Sequence, residues 1–311
     1  AVGNCVWRPD VGVKFLQAQI KRIPRLLVGF DTRLSWRMRL LSHLTIAYSR
    51  LAALVVASYP LAAIAAPVSY SDVLELPFSS TMREHSYGHP PLNTVVNIDE
   101  RGTSRGVAVL VHGGCWSNAY DRNHALPMAE ALSTMGYDVW VPEYRRVGDE
   151  GGGWPGSLED IIAAVEFVTY KTGQQPILVG HSAGGHLALR AAQTGLAIDG
   201  VVGLAPITDL VSYGAESGSC QSMVAPFMGD DTYSPDENYR DASVNLNAIT
   251  VPVAVVIGDE DSIVGASQVA VFDSGQVIKV KGAGHFDVIH PKTEAFSAVL
   301  AALEAMKERG H

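Results

Sequence analysis

Cysteine is scarce. The chain has 311 residues and three cysteines, Cys5, Cys115 and Cys220. No two stand at the C-x-x-C spacing of a zinc site or a thioredoxin-type redox pair, so the sequence calls for neither a metal nor an organic cofactor. Basic charge is also short: 23 Lys+Arg against 32 Asp+Glu leave a net charge of −9. That balance argues against non-specific binding to nucleic acid or to anionic membranes. There is no low-complexity tract and no repeat of fixed period, which excludes solenoids and propellers. No apolar run reaches the ~20 residues that a bilayer span needs. The longest, residues 51–66, is interrupted at Tyr59-Pro60. What remains is an ordinary globular composition, 47% hydrophobic and 18% charged, of the size of one large domain.

The first 65 residues differ from the rest. They carry nine Lys+Arg and two Asp+Glu, whereas the remainder carries 14 and 30. Met38-Arg39, then Arg50, an apolar stretch and the ending Ala63-Ile64-Ala65-Ala66 match a basic n-region, an h-region and an A-x-A cleavage site. The expectation is a signal peptide over 38–65, cleaved after Ala65 or Ala66. Residues 1–37 would then be an upstream or disordered extension, and no stable membrane anchor would survive processing. The protein would be secreted or periplasmic; with no leader it would be cytoplasmic. Only Cys115 and Cys220 would be left. Sequence does not give their separation, and unpaired thiols are the default expectation.

The remaining 66–311 reads as one α/β domain. Residues 73–78 and 94–98 suggest an entering antiparallel strand pair. From residue 106 the pattern alternates. Apolar strands are expected at 106–111, 137–141, 177–179, 200–205, 251–257 and 276–280. Helices are expected at 125–135, at 157–170 with Ser157 as N-cap, and at 292–309. Continuous apolar strands alternating with helices imply a mainly parallel sheet covered on both faces. Residues 206–250 are too long for a simple connection. Their Tyr213, Met223, Phe227, Met228, Tyr233 and Tyr239 suggest a small, partly helical cap that sets substrate selectivity.

Gly180-His181-Ser182-Ala183-Gly184 lies between the strand at 177–179 and a run of helical character. Strand, tight turn and helix with serine at the apex is the geometry of an exposed nucleophile, and small neighbours are what so close a turn requires. A serine nucleophile needs a base, and the base an orienting acid. Asp259, Glu260 and Asp261 follow the strand at 251–257, and His285 follows the strand at 276–280. Both loops fall at the strand edge where open α/β sheets place their ligands. The assignment is Ser182 nucleophile, Asp261 acid and His285 base. His181 and His186 flank the serine but read as packing residues, and His89 and His290 lack strand-end placement. Asp259 is the rival acid and is more simply a turn former. The loop His112-Gly113-Gly114-Cys115-Trp116 follows the strand at 106–111. Consecutive glycines can turn N–H groups toward a substrate. Gly114 and Cys115, with Ala183, are the expected oxyanion donors. His112 should brace the loop, and Trp116 is placed as a pocket wall.

With Ser182, Asp261 and His285 in that chain order, the chain resembles the α/β-hydrolase superfamily across most of 73–309. Its His112-Gly113-Gly114-Cys115-Trp116, Gly180–Leu187 and His285-Phe286-Asp287-Val288-Ile289 are similar to the kynurenine formamidase (arylformamidase) and carboxylesterase branch. The resemblance implies an α/β-hydrolase fold and a serine hydrolase cleaving carboxylic esters or aryl formamides through an acyl-enzyme. It implies a small-molecule ester or amide substrate. The alternatives are an acetyl- or feruloyl-type carbohydrate esterase, a peptidase or acyl-aminoacyl hydrolase, and a non-catalytic binding protein of the same fold.

Overall fold

In a computed structural model, residues 66–89, 91–273 and 276–309 are described; the expected leader and the extension before it lie outside them. Eight strands form one sheet: β1 (Arg83–Ser86), β2 (Thr94–Ile98), β3 (Val107–Val111), β4 (Asp138–Pro142), β5 (Ile177–His181), β6 (Gly200–Leu204), β7 (Val253–Gly258) and β8 (Val277–Val280). Their order is β1-β2-β4-β3-β5-β6-β7-β8. β2 pairs antiparallel with β1 and with β4. Every other pairing is parallel. The parallel strands therefore present their C-terminal ends to one edge.

The strands β2 to β7 are buried on both faces, and β3, β6 and β7 read as continuous apolar runs for that reason. Val107, Val109 and Val111 of β3 join Leu158, Ile161, Val165 and Leu187 in one core, supplied by α3 (Gly156–Thr172) and α4 (Ala183–Ala192). Ala108 and Leu110 point the other way. They meet Leu126, Met128, Val299, Leu303 and Met306 of α2 (Leu126–Thr134) and α8 (Glu294–Arg309). The period-2 alternation of side chains thus divides the interior into two cores with the sheet between them.

Two expectations need correction. Residues 73–78 are not the first strand; β1 is Arg83–Ser86, and α1 (Tyr70–Leu74) precedes it. The overlooked signal is a capping box. Asp72 N–H donates to Ser69 Oγ at 3.2 Å, and Ser69 N–H donates to Asp72 Oδ2 at 2.8 Å. Two orphan donors are satisfied in so short a helix. Ser157 is not an N-cap. It lies inside α3, and its hydroxyl donates to Arg145 O at 2.6 Å and accepts the Gly153 N–H at 3.2 Å. Asp160 accepts a forked bond from Arg145, with Nε and Nη2 at 2.9 and 2.7 Å.

Residues 206–250 hold α5 (Leu210–Ala215), α6 (Val224–Met228) and α7 (Glu237–Ala242). Their Tyr213, Phe227 and Tyr239 are buried in the α3–α4 core. These aromatic residues hold the insertion down.

The turn between β5 and α4 depends on two glycines. A Cβ on Gly180 would lie 2.2 Å from Gly184 O, and one on Gly184 would lie 2.3 Å from His112 O and 2.4 Å from Val111 O. The obstacles are backbone atoms of the helix, the end of β3 and the loop that follows it, which cannot step aside as a flexible side chain could. Gly184→Ala is expected to destabilise the fold by roughly 1–3 kcal/mol, read as a lowered urea midpoint with unchanged slope.

Candidate active site

Ser182 stands at the apex of that turn with φ +55° and ψ −121°. A non-glycine residue at positive φ costs energy and persists only where its surroundings hold it. Here Ser182 N–H donates to Leu204 O at 2.8 Å, and Ser182 O accepts the His186 N–H at 3.1 Å. The turn is thereby tied to β6 on one side and to α4 on the other.

His285 and Asp261 come together. His285 Nδ1 lies 2.7 Å from Asp261 Oδ2, with both side chains almost wholly buried. Asp261 Oδ1 accepts the N–H groups of Ile263 and Val264, each at 2.8 Å. The Asp261 carboxylate is thus fixed by two backbone N–H groups and aimed at one ring nitrogen. It fixes the tautomer in which Nδ1–H donates and Nε2 carries the lone pair. His285 lies against the turn: His181 Nε2–H donates to His285 O at 3.0 Å, and the two rings are 4.7 Å apart.

The rival residues have other occupations. Asp259 Oδ1 accepts the Gly282 N–H at 2.6 Å, clasping the ends of β7 and β8, and Glu260 is exposed. His186 Nε2–H donates to Ala242 O at 2.8 Å, joining α4 to the insertion. Burial lowers His186 to about 4. Burial, with the charge of His285 second, takes His181 well below the ordinary imidazole range. A fully buried imidazole resists gaining charge, so both are poor bases beside Ser182.

The loop after β3 runs through the left-handed region at three consecutive residues: Gly114 φ +111°, Cys115 φ +52° and Trp116 φ +56°. Such a run aims successive N–H groups to one side. A Cβ on Gly113 would lie 3.1 Å from Ser182 Cβ, so the loop passes against the serine. Among the described residues, none accepts a hydrogen bond from the N–H of Gly114, Cys115 or Ala183.

Two expectations about this loop change. Cys115 and Cys220 are paired, with Cα atoms 5.1 Å apart. The bridge ties the strained loop to the insertion. Trp116 is not a pocket wall; it is fully buried, stacked on Phe227 at 4.6 Å and edge-on to His186. An indole turned inward supplies the packing that holds the positive-φ run in place.

His112 braces the loop from below, as expected. Its Nδ1 lies 2.8 Å from Gly113 O, its Nε2 lies 2.9 Å from Glu143 Oε1, and its ring stacks on Tyr144 at 4.6 Å. The reading from sequence missed Glu143 and Arg146. Arg146 Nη1 lies 2.7 Å from Glu143 Oε1, and Arg122 N–H donates to Glu143 Oε2 at 3.1 Å. Burial by itself would raise the Glu143 carboxyl. The His112 hydrogen bond, with the charges of His112 and Arg146, outweighs it and holds Glu143 at about 2. The signal was present as Glu143-Tyr144-Arg145-Arg146, directly after β4. Among the described residues, no group of three or more His, Cys, Asp or Glu is disposed to hold a metal ion.

Residues 96–275 match the BD-FAE family model. The chain belongs to the BD-FAE family. The fold is that of the α/β-hydrolase superfamily. Esterase B from Lactobacillus rhamnosis superposes with a TM-score of 0.60 at 20% identity, over 88% of this chain and 96% of that one. A structure described as an arylesterase gives 0.59 at 16% identity, over 77% and 90%. Among curated proteins, lysophosphatidylserine lipase ABHD12 of Danio rerio is 26% identical over 174 residues, 52% of this chain and 45% of its own length. Human protein ABHD12B is 26% identical over 172 residues, 50% and 45%. This BD-FAE chain thus spans under half the length of the curated relatives it matches.

Two outcomes follow. Cys220→Ser opens a bridge of sequence separation 105 and should cost about 2–4 kcal/mol, seen as a lower melting temperature under non-reducing conditions. The second concerns acid. Glu143 and His186 both have folded pKa values below their ordinary ones. Their stability contributions are therefore present at neutral pH. That of His186 is lost as pH falls from about 6.5 toward 4, and that of Glu143 from about 4.5 toward 2. Melting temperature measured against pH should fall below about pH 6.5, and His186→Gln should flatten the upper part of that fall.

Proposed function

We propose that this protein is a serine hydrolase of carboxylic esters, working through Ser182, His285 and Asp261. One observation carries the reading: a buried Asp261–His285 pair at 2.7 Å lies, through His181, against the strand-to-helix turn whose apex is a serine held at positive φ. Asp261 keeps Nδ1–H engaged, so Nε2 takes the Ser182 proton as Oγ attacks the ester carbonyl. The N–H groups of Ala183, Gly114 and Cys115 receive the developing oxyanion, where one donor is worth about 10²–10³ in kcat. His285 then protonates the leaving alcohol, and the acyl group stays on Ser182. Water, deprotonated by the same nitrogen, releases the acid and restores the serine.

Family membership and the esterase neighbours support acyl transfer. One neighbour is described as esterase B inhibited by a tributyrin phosphonate, and ABHD12 is named a lipase. Aryl formamides are the alternative substrate class, since attack and oxyanion are the same for a formyl carbonyl; acetylated or feruloylated carbohydrate is the other. We also place the mature protein outside the cytoplasm. The leader-like 38–65 and the Cys115–Cys220 bridge support an oxidising compartment.

Ser182→Ala should lower hydrolysis of p-nitrophenyl acetate by about 10³-fold or more with an unchanged melting temperature. Retained turnover would overturn the assignment. A chain-length series of p-nitrophenyl esters, run beside N-formylkynurenine and acetylated xylan fragments, separates the substrate classes by kcat/KM.

A further inference from the structure

The segment entering the domain crosses the loop that carries His285. Val68 N–H donates to Asp287 Oδ2 at 2.9 Å, and the same oxygen accepts the Gly284 N–H at 2.9 Å. Gly284 immediately precedes His285. A Cβ on it would lie 2.6 Å from Pro67 Cβ, so the bare glycine is what lets Pro67 lie flat on the loop. Asp287 itself is 9% exposed.

Beyond this crossing, the capping box at Ser69 and Asp72 starts α1, which buries Val73 completely. Tyr70 of α1 lies 5.6 Å from the rings of Phe286, Tyr120 and His124. Tyr120 in turn abuts the other loop: a Cβ on Gly114 would lie 2.4 Å from Tyr120 Cβ. One short segment therefore touches both the loop of the base and the loop of the oxyanion donors.

We infer that residues 67–74 are a strap that sets the active geometry, and that Asp287 is a positioning residue acting through the Gly284 N–H on His285. The inference rests on the reading of His285 as the base. Three ties converge on that residue. Asp261 holds its ring at Nδ1, His181 holds its carbonyl, and Asp287 holds the N–H of the residue before it. Asp287 fixes the N–H side of the Ala283–Gly284 peptide, whose carbonyl accepts the Glu260 N–H at 3.0 Å, and together they set the path of the loop into His285. Asp287 does not compete with Asp261 as the acid, because its Oδ2 is taken by two backbone N–H groups. Displacing a reacting group by about 1 Å can cost about 100-fold in rate.

The test compares Asp287→Ala, Asp287→Asn and Val68→Pro, the last removing the N–H at the strap together with the Val68 side chain. With p-nitrophenyl acetate, Asp287→Ala should lower kcat about 10- to 100-fold while KM changes by less than about threefold. Labelling of Ser182 by a phosphonate should slow in step. Asp287→Asn, whose amide oxygen can accept the same two N–H groups, should restore most of kcat. Val68→Pro should lower kcat, and combined with Asp287→Ala should cost no more than Asp287→Ala alone, because both remove one shared interaction. Folded Asp287→Ala with wild-type kcat overturns the inference, as does a loss confined to KM or an Asp287→Asn as impaired as Asp287→Ala. If Asp287→Ala fails to fold, wild-type kcat in folded Val68→Pro overturns it equally. Full activity in Ser182→Ala or His285→Ala would instead overturn the reading beneath it.

Discussion

Backbone closeness between the β5–α4 turn and the end of β3 is the constraint on which the site depends. β3 and β5 pair with Val111 opposite Gly180. At that register the first turn of α4 passes so near Val111 O and His112 O that no side chain fits on Gly184. The loop that leaves β3 must then run past Ser182. Serine and loop are brought together by sheet hydrogen bonds, which are numerous and cooperative. The side chains refine a meeting that the strand register has already arranged.

Beneath the loop lies a different kind of support. Glu143 and Arg146 form a small buried ion pair, with His112 hydrogen-bonded to it, roofed by Tyr144, whose hydroxyl donates to His112 O at 3.0 Å. Such a cluster is a poor source of net stability, because charges must leave water to make it. Its value is directional. Removing one member leaves the others buried and unmatched, so only one arrangement of this loop is tolerable. Asp261 works in the same way, with each oxygen committed to named N–H donors.

The sheet and the triad candidates were readable because their signals are local. Alternating apolar strands and helices mark the sheet, and Ser182, Asp261 and His285 each lie in the short stretch just past a strand end. What escaped was non-local or ambiguous in type. Cys115 and Cys220 are far apart in sequence, and nothing in their neighbourhoods says that the insertion folds back to the loop. Trp116 follows two glycines and a cysteine, a context that suits either wall or core. Only Phe227, from the insertion, decides for core. Residues 73–78 have the composition of a strand, but Ser69 and Asp72 recruit the start of that stretch into a helix. Asp287 sat in a motif noticed for its histidine, and its partner Val68 is more than 200 residues earlier.

The disulfide divides the chain in a way that the sheet does not. The covalent ring closed by Cys115 and Cys220 contains α2, β4, α3, β5, Ser182, α4, β6 and α5. Asp261 and His285 lie outside it, on a C-terminal arm held only by non-covalent contacts. Partial opening of the molecule need not begin everywhere at once. The arm is the part with no covalent tether to the ring except the chain itself. Under the proposed mechanism, opening of this arm would remove Asp261 and His285 together while Ser182 stayed seated. Loss of turnover would then precede loss of the fold, and closing the arm again would restore it.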